Sequence, residues 1–361
     1  MIQPEIILET VSLCREFVTH KPLFGAPTVV RAVDVVNLQI LRGETFAIVG
    51  ESGCGKSTLA RMLVSLIEPT EGQVIYMGAD IGLAKPADSR ALRRDLQFIF
   101  QDPFSSLNPR MTVGALIEEP MRAHKLGTPT ERRAKVAQLL TRVGLSNQHA
   151  ERYPHEFSGG QRQRIGIARA LATEPKVLVG DEPVSALDVS IQAQVINILQ
   201  DLKEDFGLTL VIIAHDLAVV RHMADRVAVM YLGELVEIAP AAALFDTPKH
   251  PYTEALAAAI PLPQVGARKV HARISGDPPN PINPPSGCRF HPRCPYAIER
   301  CAIERPKLQQ TAQGGSVACH LAADLKLIGL ADSKNSRSPS AEKRFDLYRR
   351  ARLDQDTITT T

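Results

Sequence analysis

The glycine-rich stretch at residues 50–57 (GESGCGKS) constrains the fold of this chain more than any other feature. It follows the apolar residues 46–49, which predict a short strand, and it precedes a helical pattern from Ser57 to Ile67. Glycines let backbone N–H groups turn toward a phosphate, and the positive end of a helix dipole points to the same place. The order strand, glycine loop and helix is the context that makes this pattern a credible phosphate site.

This phosphate loop offers both backbone and side-chain donors. Gly53 and Gly55 are expected to turn N–H groups inward, while Lys56 reaches the β- and γ-phosphates of a nucleoside triphosphate. The Ser57 hydroxyl is expected to bind Mg²⁺. The residues of this stretch that we expect to contact the nucleotide are Gly50, Ser52, Gly53, Cys54, Gly55, Lys56, Ser57 and Thr58.

An apolar strand that ends in two carboxylates supplies the other half of the predicted site. Asp181 and Glu182 follow the apolar residues 177–180. We expect Asp181 to lie near the metal, directly or through water, and Glu182 to act as the general base on an attacking water. Taken alone, the pattern fits a strand end with solvated carboxylates equally well, so its interpretation depends on the other motifs.

Strand and helix patterns alternate along the chain. Residues 1–45 predict strands, and residues 112–144 predict a helical insert. Buried strands are predicted at 176–180 and 209–214, with a helix at 190–206 between them. Such alternation predicts an α/β protein with a mainly parallel sheet and helices on both faces.

The composition limits the classes of protein to consider. A net charge of +3 is too small to indicate a nucleic-acid partner. No basic region precedes an apolar stretch at the N-terminus, and no apolar run reaches the roughly 18 residues of a membrane span. We therefore expect a cytosolic chain that contacts a membrane only through partners.

With residues 158–161 (SGGQ) added, these motifs resemble those of the ATP-binding-cassette ATPases. The resemblance implies that Gln101 belongs to a glutamine loop that senses metal and water, and that His215 is a switch histidine at the γ-phosphate. It also implies that Asp188 belongs to the family's D-loop at the nucleotide site and that Phe17 stacks on adenine. Glu182, His215 and Gln101 are thus the expected catalytic residues.

The same resemblance implies a fold and a division into domains. The fold would be the cassette P-loop fold, with a mainly parallel core sheet, an N-terminal antiparallel β subdomain and a helical subdomain at about 102–160. A nucleotide-binding domain would span 1–245, and a small cysteine-containing extension would span 246–325. From about Ala331 the chain is rich in Ser, Thr, Lys, Arg and Asp, and we expect residues 326–361 to form a disordered tail.

The resemblance further implies that two cassettes pair head to tail around two ATP molecules. Ser158, Gly159, Gly160 and Gln161 of one subunit would close on the γ-phosphate held by Lys56 of the other. A helix N-terminus behind a glycine turn is a second set of phosphate donors, which gives this arrangement a physical basis. ATP would hold the pair shut, and hydrolysis would loosen it.

Finer strings resemble the ATPase subunits of bacterial dipeptide, oligopeptide and nickel importers. They are residues 106–110 (SLNPR), 153–157 (YPHEF), 250–253 (HPYT), 283–288 (NPPSGC) and 293–294 (RC). The implied partners are a second related ATPase, in a heterodimer or homodimer, two membrane permease subunits and an extracytoplasmic binding protein, with no nucleic acid. The implied location is the cytoplasmic face of the bacterial inner membrane.

Peptides are the expected cargo, and nickel, glutathione or another small solute stay open. A soluble ATPase that acts on nucleic acid or ribosomes is the alternative from another class. Such proteins usually carry a coiled-coil insert or a second cassette, whereas this chain has one cassette and no sustained heptads.

A group of cysteines marks the C-terminal region. Successive members are separated by five, six and seventeen residues, unlike the short Cys-x-x-Cys pairs of common zinc sites. Four thiolates could hold an iron–sulfur cluster, which the resemblance favours as [4Fe-4S], or Zn²⁺ with His291 and His320 as spare ligands. They could also be free cysteines that pack as small hydrophobes. The predicted ligands are Cys288, Cys294, Cys301 and Cys319.

Three arginines lie among these cysteines: Arg289, Arg293 and Arg300. They could offset the negative charge of a thiolate cluster, or they could be solvated.

Overall fold

A computed structural model of the chain describes residues 5–20, 27–185, 187–260, 276–311 and 314–330. Residues 331–361, which make up most of the predicted disordered tail, lie outside the described residues. The strands are β1 (Ile6–His20), β2 (Thr28–Leu41), β3 (Thr45–Val49), β4 (Glu71–Tyr76), β5 (Ala79–Asp80), β6 (Leu96–Ile99), β7 (Val177–Asp181), β8 (Thr209–Ile213), β9 (Arg226–Tyr231), β10 (Glu234–Pro240), β11 (Gln309–Gln310) and β12 (Ser316–Val317). The helices are α1 (Lys56–Leu63), α2 (Pro86–Asp95), α3 (Pro103–Ser106), α4 (Val113–Ala123), α5 (Pro129–Arg142), α6 (Gly159–Leu171), α7 (Val189–Phe206), α8 (Leu217–Met223), α9 (Ala241–Asp246), α10 (Pro251–Ala258) and α11 (Glu299–Ile303).

The main sheet has the strand order β11-β12-β10-β9-β3-β8-β7-β6. Strands β9, β3, β8, β7 and β6 pair in parallel, and β10 begins an antiparallel edge. Every residue of β3, β7 and β8 is buried, as expected for parallel strands covered on both faces. The predicted mainly parallel core is confirmed. In such sheets ligands bind beyond the carboxyl ends of the strands, where the phosphate loop and Asp181 lie.

The predicted N-terminal antiparallel subdomain is also confirmed. It is a second sheet with the order β2-β1-β4-β5, in which β1 and β2 are 15 and 14 residues long. One apolar cluster joins Leu8 of β1, Ile40 of β2, Leu59 of α1 and Ile48 of β3. The helix that follows the phosphate loop is therefore part of the core that both sheets share.

Helices α4 and α5 lie within the helical insert that the period of apolar residues predicts at 112–144, and α6 follows it. The Thr112 side chain accepts a hydrogen bond from the Ala115 N–H to begin α4, and Thr128 with Glu131 forms a capping box at α5. Helix α1 is shorter than predicted, since it ends at Leu63 rather than Ile67. Ser65 follows with a left-handed φ of 57°, which a continuing helix cannot accommodate.

Residues 276–311 and 314–330, which we call the cysteine segment, extend the main sheet. Strand β12 pairs with β10 through Glu237 and Val317. The Phe290 ring is 1% exposed and lies 5.3 Å, centroid to centroid, from the rings of both Tyr231 and Tyr252. This segment is thus joined to the sheet that carries the phosphate loop. Among the described residues, no helix is long and apolar enough to cross a membrane.

Candidate functional site

The phosphate loop connects β3 to α1 and passes close to two neighbouring strands. A Cβ on Gly50 would lie 2.1 Å from the Met230 carbonyl oxygen, and one on Gly55 would lie 2.0 Å from that of Ala32. Both glycines also have left-handed φ angles, 150° and 108°. Glycine at these two positions is therefore required by the backbone and by its surroundings.

The Lys56 ammonium lies inside the loop. Its Nζ donates hydrogen bonds to the carbonyl oxygens of Gly50 at 2.8 Å and Glu51 at 2.9 Å, and the residue is 5% exposed. Burial raises the pKa of the neighbouring Cys54 thiol, so this side chain is neutral. The remaining predicted contacts differ in exposure: Ser52 and Gly53 are exposed and Thr58 is half-buried. A charged donor is thus fixed at the centre of a loop whose rim is open.

Ser57 and Asp181 face each other across the loop. The Ser57 Oγ donates a hydrogen bond to Asp181 Oδ1 at 2.7 Å, and Arg61 lies 3.5 Å from the other carboxylate oxygen. Asp181 is fully buried at the end of β7. Mg²⁺ takes hard oxygen ligands and keeps several waters, so a hydroxyl beside a buried carboxylate fits this ion.

The three predicted catalytic residues lie together beyond the ends of adjacent strands. Gln101 Nε2 donates a hydrogen bond to Glu182 Oε2 at 2.9 Å, and His215 Nδ1 lies 3.5 Å from the same oxygen. Gln101 follows β6, Glu182 follows β7 and His215 follows β8. The parallel order of these strands is what brings residues distant in sequence to one edge of the sheet.

Glu182 has an uncommon backbone conformation, with a left-handed φ of 47°. Its N–H donates a hydrogen bond to the Ile213 carbonyl at 3.1 Å, and its own carbonyl accepts one from Ser185 Oγ at 3.1 Å. Hydrogen bonds from nearby residues of the same chain thus stabilise a backbone conformation that costs energy, as is common at functional sites.

The serine-glycine turn begins α6 and is organised locally. Ser158 Oγ accepts a hydrogen bond from the Gln161 N–H, and the Ser158 N–H donates to Gln161 Oε1 at 3.0 Å. A Cβ on Gly160 would lie 2.5 Å from Ile191 Cγ2, so α6 packs closely on α7, and Gly159 is half-buried. Within the part of the chain described, the recorded hydrogen bonds of Ser158 stay at this helix start, and none reaches the phosphate loop.

Two further predicted contacts lie on other elements. Asp188 is exposed at the start of α7. Phe17 lies on β1 opposite Val30, and the Arg15 guanidinium covers its ring at 4.8 Å from the centroid. The contact of Asp188 with nucleotide and the stacking of Phe17 on adenine stay predictions.

The sequence interpretation missed residues that hold the phosphate loop from outside. The Tyr252 hydroxyl accepts a hydrogen bond from the Glu51 N–H at 2.8 Å, and Arg293 pairs with the Glu51 carboxylate. The strings at 250–253 and 293–294 contain these side chains. Their contact with the loop spans 201 and 242 residues of sequence, a distance that no local pattern bridges.

The predicted iron–sulfur cluster is wrong. Among the described residues, no group of three or more His, Cys, Asp or Glu side chains could hold a metal ion, so the Zn²⁺ alternative has no ligand set either. Burial raises the pKa of the Cys288 thiol to about 12 and that of Cys294 to about 11, and it also raises that of Cys319. These three thiols are therefore neutral in their buried environment. Cys301 is buried, and Cys288 and Cys294 pack against the core as small hydrophobes.

The arginines of this region pair with carboxylates rather than with thiolates. Arg289 contacts Asp34, Arg293 contacts the phosphate loop, and Arg300 pairs with Glu304 at 2.7 Å. The two predicted spare ligands also bond backbone. His291 Nδ1 lies 2.9 Å from the Cys288 carbonyl oxygen, and His320 Nε2 lies 2.9 Å from that of Glu304.

Comparisons with known proteins agree with this geometry. A family model described as ABC transporter matches residues 33–185. A second, described as oligopeptide/dipeptide transporter, C-terminal region, matches residues 236–301. The two matches together cover the phosphate loop, Asp181, Glu182 and the first three clustered cysteines.

Curated relatives match over most of the chain. A probable peptide ABC transporter ATP-binding protein of Sinorhizobium fredii is 53% identical over 320 residues, which cover 88% of this chain and 91% of the relative. An oligopeptide transport ATP-binding protein of Bacillus subtilis is 50% identical, over 88% of this chain and 98% of the relative. An oligopeptide transport ATP-binding protein of Escherichia coli is 52% identical, over 81% of this chain and 88% of the relative.

Solved structures of lower identity share the fold. An ATP-binding cassette solved as a dimer in a post-hydrolysis state, bound to ADP and Pi, is 30% identical with a TM-score of 0.59. The match covers 65% of this chain and 99% of the solved chain. The cbiO1 subunit of a Clostridium perfringens ABC transporter complex is 28% identical with a TM-score of 0.57, over 67% of this chain and 91% of that one.

Proposed function

The chain belongs to the ABC transporter ATPases, and from this premise we propose that it hydrolyses ATP to energise the uptake of peptides across the bacterial inner membrane. One observation supports the assignment of peptides as the cargo. Relatives named for peptide or oligopeptide transport match at about half identity across both the ATPase region and the C-terminal region. A cassette is common to many transporters, whereas the second region is described by oligopeptide/dipeptide transport itself.

In this proposal the phosphate loop binds the triphosphate. Its N–H groups and the start of α1 surround the phosphates, and the Lys56 ammonium exchanges its loop carbonyls for phosphate oxygens. Ser57, Asp181 and Gln101 would hold Mg²⁺, which supplies positive charge against the phosphates when it is bound. The proximity of Ser57 to Asp181 supports the first two of these assignments.

Hydrolysis requires a base beside the γ-phosphate, and Glu182 is our candidate. Gln101 and His215 approach one of its oxygens, so they orient the carboxylate toward the place where water would attack. The left-handed backbone of Glu182 is a conformation of the kind that is often found at functional sites. Glu182 accepts the proton of the attacking water, while His215 contacts the γ-phosphate.

The second half of each site comes from a partner cassette. The first turn of α6 has N–H groups without partners inside the helix, and these groups suit an anion. The capping box fixes Ser158 so that Gly159, Gly160 and Gln161 can approach a phosphate held by another subunit. Binding of ATP then closes the pair, and hydrolysis opens it.

We extend the proposal to the assembly. A second related ATPase, identical or different, pairs with this chain beneath two membrane permeases, and an extracytoplasmic binding protein delivers the cargo. The chain lies at the cytoplasmic face of the membrane and binds no nucleic acid. Residues 1–245 would form the nucleotide-binding domain, with the helical subdomain at about 102–160, and residues 246–325 the extension.

Uptake in cells tests the cargo. A strain that lacks this gene is supplied with the wild-type gene or with Lys56→Ala, and uptake of a labelled dipeptide, a labelled oligopeptide, ⁶³Ni²⁺ and labelled glutathione is compared. Restoration of peptide uptake by the wild type alone is the expected result. Restoration of nickel or glutathione uptake instead would show that the cargo is not a peptide. Co-purification with ribosomes rather than with membrane subunits would contradict the proposed transport function.

A further inference from the structure

Glu51 places a carboxylate within the loop that binds a polyanion. Like charges oppose one another, so this carboxylate needs compensation if a triphosphate is to bind beside it. Arg293 of the cysteine segment supplies it. Its Nη1 donates to Glu51 Oε2 at 2.8 Å and its Nη2 donates to Oε1 at 3.0 Å. Two parallel hydrogen bonds fix the orientation of the carboxylate as well as its charge.

The position of Arg293 is set by how the cysteine segment docks. Its side chain is 8% exposed, and Nη1 also donates a hydrogen bond to the Tyr231 hydroxyl at 3.2 Å. Phe290, three residues earlier, packs edge-on against the Tyr231 ring. Arg293 therefore reaches the loop only while this buried aromatic contact holds the segment in place.

Glu51 is held through its backbone as well. The fully buried Tyr252 accepts the Glu51 N–H at 2.8 Å, and its ring lies 4.8 Å from that of Tyr231. The Glu51 carbonyl in turn accepts a hydrogen bond from Lys56 Nζ. A constraint that begins in the cysteine segment thus reaches the ammonium at the centre of the phosphate loop.

We propose that Arg293 is a positioning residue for ATP binding. It neutralises Glu51 and, together with Tyr252, keeps the phosphate loop in the conformation that accepts the triphosphate. ATP affinity consequently depends on the docked cysteine segment, which gives that segment a role other than metal binding. The proposal rests on the proposed function, namely that this loop binds ATP.

The test is a set of charge and geometry variants of the full chain, titrated with ATP and Mg²⁺ by calorimetry. Arg293→Met should weaken ATP binding about tenfold because Glu51 keeps its charge without a partner. Arg293→Lys keeps the charge but not the paired geometry, so a loss of about threefold is expected. The double variant Arg293→Met with Glu51→Gln should bind within about threefold of the wild type, since neutral Gln needs no partner.

Arg305→Met is the matched control. Arg305 belongs to the same segment but pairs with Asp34 and Glu234, which lie outside the loop, so ATP affinity should change by less than about twofold. Steady-state turnover adds a second measurement: Arg293→Met should raise the KM for ATP with little change in kcat, because only binding is lost.

The outcomes separate the two proposals. If the wild type binds ATP and Arg293→Met binds it equally well, or if the double variant is as weak as the single one, the positioning role is overturned. If the wild type binds no ATP, the proposed function is overturned and this inference with it. Should Arg293→Met fail to fold by circular dichroism, Arg293→Lys decides, and unchanged affinity in that variant overturns the role.

Discussion

The phosphate loop and the cysteine segment meet at Glu51, yet their chemistry is fixed in different ways. In the loop, donors come from the backbone and from residues next to one another, and glycines enforce the geometry. In the cysteine segment, four cysteines come from separated positions, and burial raises the pKa of Cys288, Cys294 and Cys319. A site built from main-chain geometry follows from local sequence, whereas a site that needs converging side chains depends on how loops pack.

The largest expected effect tests the loop side of this comparison. Lys56→Ala removes the ammonium that the loop carbonyls hold, so ATP turnover should fall by more than about 1000-fold. Turnover of the purified chain is measured by phosphate release. Lys176→Ala, which removes an exposed lysine paired with Asp95, is the control and should retain activity. Turnover within tenfold of the wild type would contradict a phosphate-binding role for Lys56.

Replacement of the proposed base gives the next largest effect. Glu182→Gln should lower turnover about 1000-fold while ATP affinity changes by less than about threefold, because the amide cannot accept the proton of water. Single-turnover hydrolysis and ATP titration measure the two quantities separately. Glu304→Gln, at a carboxylate paired with Arg300 on the surface, is the matched control. Unchanged turnover in Glu182→Gln would assign the base elsewhere.

The strand and helix order around the loop could be predicted because local patterns encode it. The apolar strands β3, β7 and β8 and the helix α7 lie within a residue or two of their predicted bounds. Strands β9 and β10 were not predicted, although they place Met230 against Gly50 and Tyr231 against Arg293. Contacts of this kind join positions far apart in sequence, and no local sequence pattern predicts them.

The cysteine prediction was wrong for a related physical reason. Spacing along the chain permits a four-thiolate site, but a metal site also needs the ligand atoms to converge on one point. The nearby arginines pair with Asp34 and Glu51, and among the described residues no group of three His, Cys, Asp or Glu side chains could hold a metal ion. Which carboxylate each arginine meets is decided by tertiary packing, and the sequence alone left both readings of these residues open.

A buried histidine near the contact between the two regions should make stability depend on pH. His250 is fully buried, and burial lowers its pKa to about 3, against about 6.5 when the chain is unfolded. Between these values the unfolded state binds more protons at this histidine, so the stability that His250 contributes is present above pH 6.5 and falls as the pH drops. At pH 5 the contribution of His250 to the unfolding free energy should be about 2 kcal/mol smaller than at pH 7.5.

His250→Asn isolates this contribution. Asparagine keeps a side-chain acceptor for the Tyr252 N–H at the start of α10 but does not titrate. The difference in unfolding free energy between the variant and the wild type, measured in urea at pH 5 and pH 7.5, should shift by about 2 kcal/mol in favour of the variant at pH 5. Glu237, whose pKa burial raises to about 7, acts in both proteins in the opposite direction, and its hydrogen bond from the backbone N–H of residue 250 is kept in the variant. A difference that does not vary with pH would place a charge on His250 in the folded state.

The smallest expected effect tests the cysteine side of the comparison. Cys301 is 8% exposed and packs as a small apolar group. Cys301→Ala should therefore lower the unfolding free energy of the protein by only about 1 kcal/mol. Cys301→Ser should cost more, because a buried hydroxyl needs a hydrogen-bond partner that the thiol does not. A metal ligand would behave differently: both replacements would cost several times as much, and bound metal, measured by mass spectrometry, would fall with them. The ranking alanine above serine, with no change in metal content, is therefore the result that distinguishes a packed thiol from a coordinating one.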